Sequence, residues 1–265
     1  HKALAIRPDY AEAHNDLGNA LRVLGNLDEA RGSYRKAAHL KPDLAEAHYN
    51  LGITLISLGR PDEAIASFRE ALSKNPNYAE AHHNLGVVLK GQGKLVEAVS
   101  FYQKAIALAP DFAEAHCNLG NALNNLGRLD EAVVSYREAV TRNPGYAEAH
   151  NNLGGLLASV GLVDDAVIYY RLAIQFNPRH SEALYNLGNV MLSRGMRVAA
   201  IQHYRDALRY APNDAEVHSN LARALTDQNE LEDAVMHYQN AIDINPELAP
   251  ALIGLAWIRA TAPTA

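Results

Sequence analysis

Cysteine is nearly missing from this chain. One residue, Cys117, serves all 265 positions, so no disulfide can form within it. That usage fits a reducing interior, and a cytoplasmic protein is expected, or a nuclear one if the source is eukaryotic. Long apolar runs are also missing: no stretch of about 18 apolar residues occurs, so no spanning helix is expected. No secretory leader is legible, because the chain reads straight into a helix. It starts at His1 rather than Met and in mid-repeat, which reads as a fragment of a longer chain. A basic excess is absent as well. With 24 Lys and Arg against 30 Asp and Glu, the net charge is −6. Phosphates demand a basic surface, so neither a nucleic acid nor an anionic membrane is the expected partner.

What is present is repetition. Pro8, Pro42, Pro76, Pro110, Pro144, Pro178, Pro212 and Pro246 stand 34 residues apart with no insertion. In the same register run Ala30, Ala64, Ala98, Ala132, Ala166, Ala200 and Ala234. An aromatic follows as Tyr34, Phe68, Tyr102, Tyr136, Tyr170, Tyr204 and Tyr238, and a second alanine three residues later. A Leu-Gly pair recurs from Leu17-Gly18 to Leu187-Gly188 and becomes Leu221-Ala222 in the seventh unit. A fixed period of this length is the signature of stacked supersecondary units.

Within residues 45–78, Ala47, Leu51, Leu55 and Leu58 fall at spacings of three and four, one face of a helix. Gly59 suits the left-handed position after a helix end. A second helix is expected from about Asp62 to Ser73, with Ala64, Phe68, Ala71 and Leu72 inward, and Pro76 after its end. Asn77 followed by Glu80 has capping-box spacing, as have Asp9/Glu12, Asp43/Glu46, Asp111/Glu114 and Asn213/Glu216. Two short amphipathic helices cannot bury their apolar faces alone, so neighbouring units must stack.

The spacing Leu-Gly, Ala, aromatic, Ala, Pro resembles the tetratricopeptide repeat, from about residue 11 to 248. The resemblance implies an all-α fold, a right-handed superhelical solenoid of antiparallel helix pairs forming a single domain over 1–265. Its repeats would be 11–44, 45–78, 79–112, 113–146, 147–180, 181–214 and 215–248. Partial repeats flank them at 1–10 and 249–262: residues 1–7 resemble the end of an earlier second helix, and 249–262 a first helix without a partner. Where the family carries tryptophan, this chain has His14, His48, His82, His116, His150 and His218, with Leu184 and Leu252 as exceptions. Two residues on come Asn50, Asn84, Asn118, Asn152, Asn186 and Asn220, with Asp16 and Gly254 breaking the series at its ends. The phrase Ala-Glu-Ala-His-x-Asn-Leu-Gly is similar to repeats of the O-linked N-acetylglucosamine transferase arm and its bacterial relatives. There the asparagines form a concave ladder that binds the backbone of an extended polypeptide, and the resemblance implies the same for Asn50 through Asn220. The chain holds no glycosyltransferase domain of its own.

Physics bears on the ladder separately. Asparagine inside a helix costs roughly 0.5–0.7 kcal/mol against alanine. Its amide offers two donors and an acceptor, enough to pair with a passing peptide unit whatever the side chain. Stacked helices lie about 8–10 Å apart and an extended strand rises about 3.3 Å per residue, giving one rung per roughly three ligand residues. Selectivity would then lie in neighbours that differ between repeats. Before each rung stand Asn15, Tyr49, His83, Cys117, Asn151, Tyr185 and Ser219; three residues after it stand Asn19, Ile53, Val87, Asn121, Gly155, Asn189 and Arg223. The candidate peptide-binding set is the six asparagines with Tyr49, His83, Cys117, Asn121 and Tyr185. The competing reading is that duplication copied the asparagines and that they bond between neighbouring helices.

Chemistry is not expected. Twelve histidines contain no His-x-x-x-His, and there is no Cys-x-x-Cys and no phosphate loop, so neither metal nor cofactor nor catalytic residues are assigned. The glutamates at 12, 46, 80, 114, 148, 182 and 216 read as first-turn residues that complement the helix dipole. Three functions compete: a polypeptide-binding scaffold, the substrate-recognition arm of a glycosyltransferase of the kind named above, and an RNA-binding repeat, which the acidic balance opposes. Trp257 lies on the unpartnered last helix with Leu252, Leu255 and Ile258, where self-association is expected unless a further helix covers it.

Overall fold

The computed structural model describes Leu4 and residues 6–261. Most of the reading of residues 1–7 as the end of an earlier helix falls outside them, as does residue 262 of the last partial repeat. The described residues form fifteen helices joined by tight turns, with no strand among them. The chain divides into two compact units, His1–Arg142 and Asn143–Ala265. In the first, the pairs are α1 (Ala11–Val23) with α2 (Leu27–Leu40), α3 (Ala45–Ser57) with α4 (Pro61–Lys74), α5 (Ala79–Gly91) with α6 (Leu95–Leu108), and α7 (Ala113–Asn125) with α8 (Leu129–Arg142). In the second they are α9 (Ala147–Ser159) with α10 (Val163–Phe176), α11 (Ser181–Ser193) with α12 (Arg197–Tyr210), and α13 (Ala215–Thr226) with α14 (Leu231–Ile244), followed by α15 (Ala249–Thr261). Within each unit a helix touches its chain neighbours, and first helices also touch the first helix of the next pair: α1 with α3 and α5 with α7 in one unit, α9 with α11 and α13 with α15 in the other.

The recurring small and aromatic residues build the core. Ala30, Ala64, Ala98 and Ala132 are wholly buried, and so are Tyr34, Phe68 and Tyr102. Burying each such ring contributes about 1.5–3 kcal/mol. The rings fit because of the Leu-Gly pair. A Cβ on Gly18 or Gly52 would stand 2.6 Å from a ring carbon of Tyr34 or Phe68, so only glycine lets the two helices of a pair close over the aromatic. The six turn glycines from Gly25 to Gly195 adopt φ of 69–85°, and Asn229 takes the seventh such position at φ 63°, the left-handed region that asparagine tolerates better than most residues.

The helix starts differ from the capping-box expectation. The cap position falls one residue later, on Tyr10, Leu44, Tyr78 and Phe112, none of which makes a side-chain cap bond. At several of these turns an asparagine just before the proline braces the backbone instead. Asn75, at the end of α4, accepts the Asn77 N–H at 3.2 Å, and Asn143, Asn177 and Asn245 make the same bond across their prolines. Among the described residues Asp214 caps its first helix with a carboxylate, accepting from Glu216 N and Val217 N. The recurrent glutamates do lie in the first turns.

Candidate functional site

The histidines are turn clamps. Nε2 of His14, His48, His82, His116, His150 and His218 lies 2.8–3.1 Å from the carbonyl oxygen of the proline six residues earlier. A carbonyl only accepts, so Nε2 carries the proton. The ring thereby holds each first helix to the turn that precedes it. His218 goes further: its Nδ1 lies 2.9 Å from Nδ1 of His237 on α14. Burial, then the neighbouring His218, pull the His237 pKa down to about 4, so His237 is neutral near pH 7. No group of three or more potential metal ligands occurs among the described residues.

The asparagines tie first helices together. Asn50 donates from Nδ2 to Asn15 Oδ1 at 3.1 Å, Asn84 to the Tyr49 hydroxyl at 3.0 Å, and Asn118 to His83 Nε2 at 3.0 Å. In the second unit Asn186 donates to Asn151 Oδ1 at 3.1 Å and Asn220 to the Tyr185 hydroxyl at 2.9 Å. In each case the acceptor lies 35 residues back, immediately before the preceding position of the series. Such a bond contributes about 0.5–1.5 kcal/mol, which offsets the helix cost of asparagine without any ligand. The competing reading of the sequence therefore describes one donor of each of these amides.

That arrangement sets what remains open. The side-chain oxygens of Asn84, Asn186 and Asn220 accept nothing among the described residues, and these side chains are half-buried. Asn50 is buried, and Asn118 Oδ1 is approached by Lys90 Nζ at 3.4 Å. Asn152 is half-buried and has a partner of its own. The preceding positions divide by size. Asn15, Cys117, Asn151 and Ser219 are buried, so Cys117 does not reach an open surface. Tyr49, His83 and Tyr185 are larger and half-buried. Tyr49 packs on Tyr78 with ring centroids 4.7 Å apart, and His83 packs on Phe112 at the same distance. Burial raises the Tyr49 and Tyr185 pKa values and lowers that of His83, whose Nε2 accepts from Asn118 and therefore has its proton on Nδ1.

Three residues beyond the asparagine series lies a position that services the core aromatic. Asn19, Asn121 and Asn189 accept the hydroxyls of Tyr34, Tyr136 and Tyr204, each at 2.7 Å. Asn121 thus has a core partner. Ile53 stands where the aromatic is Phe68. Val87 offers Tyr102 nothing, and that hydroxyl is buried without a partner.

Comparison with known proteins agrees with this architecture. Family models described as tetratricopeptide or TPR repeat match residues 18–59, 49–111, 113–146, 147–180 and 191–235. No curated protein matches. Among solved structures, YrrB, a TPR protein with an unusual peptide-binding site, is 28% identical over 69% of this chain and 94% of its own, with TM-score 0.59. MamA is 28% identical over 62% of this chain and 96% of its own, with TM-score 0.58. PilF of Pseudomonas aeruginosa shares the fold at 22% identity, covering 80% and 97%, with TM-score 0.71. No helix among the described residues is long and apolar enough to cross a membrane. With seven 34-residue units, family matches along most of the chain and neighbours built the same way, this protein belongs to the tetratricopeptide-repeat proteins.

Proposed function

We propose that the chain is an interaction scaffold that holds an extended polypeptide against its first helices, with the asparagine series pairing to the ligand backbone. One observation carries the reading: consecutive first helices present asparagines whose internal bond fixes the amide and leaves the carbonyl oxygen unpaired at Asn84, Asn186 and Asn220. Backbone N–H groups of the ligand would donate to those oxygens, and the ordering cost of the side chain is already met by the internal bond. That YrrB has a peptide-binding site supports the ligand class. The phrase Ala-Glu-Ala-His-x-Asn-Leu-Gly favours a second setting for the same surface, the substrate-recognition arm of an O-linked N-acetylglucosamine transferase.

The test uses a phage-displayed library of random 15-residue peptides panned on the purified chain. Peptides should be recovered, and a recovered peptide should bind the Asn84→Ala/Asn186→Ala/Asn220→Ala triple variant at least about tenfold more weakly, the loss expected from a few net hydrogen bonds. Far-ultraviolet circular dichroism should show unchanged helicity. Equal affinity in a folded triple variant removes the ladder from the proposal; recovery of no peptide removes polypeptide binding altogether.

A further inference from the structure

The period makes departures from it visible, and two of them meet. Arg223 is the only arginine in its series, where the other repeats carry Asn19, Ile53, Val87, Asn121, Gly155 and Asn189. Arg197 is the only arginine in another, opposite Leu27, Pro61, Leu95, Leu129, Val163 and Leu231. One lies on a first helix and the other opens a second helix, 26 residues apart in sequence. Both line one cavity of about 500 Å³ in the second unit, together with Asn189, Asn220 and Asp227. Asp227 stands 3.7 Å from Arg197 and so neutralises part of that charge. Arg223 is exposed and makes no ion pair among the described residues. The amide of Asn220 spends its donors on Tyr185 and on Asn189 at 3.1 Å, and Tyr204 also donates to Asn189. The cavity therefore has an internally braced wall, one cation balanced by Asp227 and one left over.

We propose that this cavity is a specificity subsite for an acidic side chain, an internal Asp or Glu of a polypeptide lying along the asparagine series. The guanidinium of Arg223 takes the carboxylate, in the charge-assisted geometry that arginine favours, and Arg197 adds to the field. An extended ligand passing Asn186 and Asn220 presents side chains, not a chain end, to this point. The other repeats lack an arginine at the Arg223 position, so the preference belongs to one register of the ligand. This proposal rests on the polypeptide-binding reading above, and its test separates the two.

Random 15-residue peptides displayed on phage are panned in parallel on the unaltered chain and on Arg223→Glu, a substitution at an exposed position. Peptides from the unaltered chain should share an Asp or Glu at one register, and peptides from Arg223→Glu should carry Lys or Arg there. In fluorescence anisotropy, Arg223→Gln should weaken a recovered acidic peptide about ten- to hundredfold, the size of a charge-assisted bond. Changing the peptide's Glu to Gln should cost the same, and combining both changes should cost little more. Peptides without an acidic register, or the same acidic register recovered by Arg223→Glu, overturn the subsite and leave polypeptide binding standing. Recovery of no peptide on either protein overturns both.

Discussion

Where the central aromatic of a repeat is tyrosine, its hydroxyl either has an acceptor or does not, and the difference is one residue. Tyr34 and Tyr204 donate to Asn19 and Asn189. Tyr102 is equally buried, but Val87 occupies the acceptor position and its hydroxyl has no partner. A buried polar group left unpaired costs about 1–3 kcal/mol, whereas a made bond is worth about 0.5–1.5 kcal/mol net. Tyr34→Phe should therefore lower the urea midpoint. Tyr102→Phe should leave it unchanged or raise it, because it removes an unpaired group. Val87→Asn should raise it by supplying the missing acceptor. Equal losses for Tyr34→Phe and Tyr102→Phe would contradict this account. Part of the pairing is visible in the sequence: Asn19, Asn121 and Asn189 stand 15 residues before Tyr34, Tyr136 and Tyr204, and Ile53 the same distance before Phe68, while Val87, Gly155 and Arg223 precede tyrosines without following that rule. What sequence did not disclose is that these positions face one another.

At the scale of helices, the boundaries were easy to read and the bonds between them were not. Apolar spacing and the glycine after each first helix are local signals, and the helix expected at about Asp62 to Ser73 runs Pro61–Lys74. The asparagine bonds follow a separation of 35, one more than the period, and their acceptors change from Asn15 to Tyr49 to His83. The contact joins two different repeat positions with no fixed acceptor chemistry, so a 34-residue period does not show it. The last units carry two breaks in the pattern, Ala222 for glycine and Gly254 for asparagine. With a methyl at Ala222 in place of the usual glycine, a ring cannot close over the first helix as it does at Gly52. The Tyr238 ring instead lies so close to Gly254 that any Cβ there would overlap it. Gly254→Ala should then loosen α15, read as faster hydrogen exchange at 249–261 and a lower urea midpoint. Adding Ala222→Gly should restore both by letting Tyr238 return toward its own helix pair. A double variant as loose as the single one would show that the two positions are independent.

At the scale of the whole chain, the reach of contacts decides how a local injury spreads. Within each unit a helix touches its neighbours in sequence and, for first helices, the next first helix, and nothing farther. Stability in such an array is close to a sum of repeat and nearest-neighbour contributions, so no distant core resists or shares the damage. Phe68 is wholly buried between α3 and α4, and Phe68→Ala removes about 3–5 kcal/mol of packing. A globular domain with one core would lose that stability everywhere. Here native-state hydrogen exchange should accelerate most in α3 and α4, less in α2 and α5, and not measurably in α11–α14, whose contacts are all made with other helices of the second unit. The asparagine bonds sharpen the expectation, because Asn50 and Asn84 tie α3 to α1 and α5, two of the helices through which softening can pass. Adding Asn84→Ala to Phe68→Ala should therefore confine the loss more tightly to α3 and α4, with α5 regaining protection relative to the single variant. Uniform acceleration from α1 to α15 in either variant would mean that the chain opens as one cooperative body, and that coupling runs farther than the contacts do.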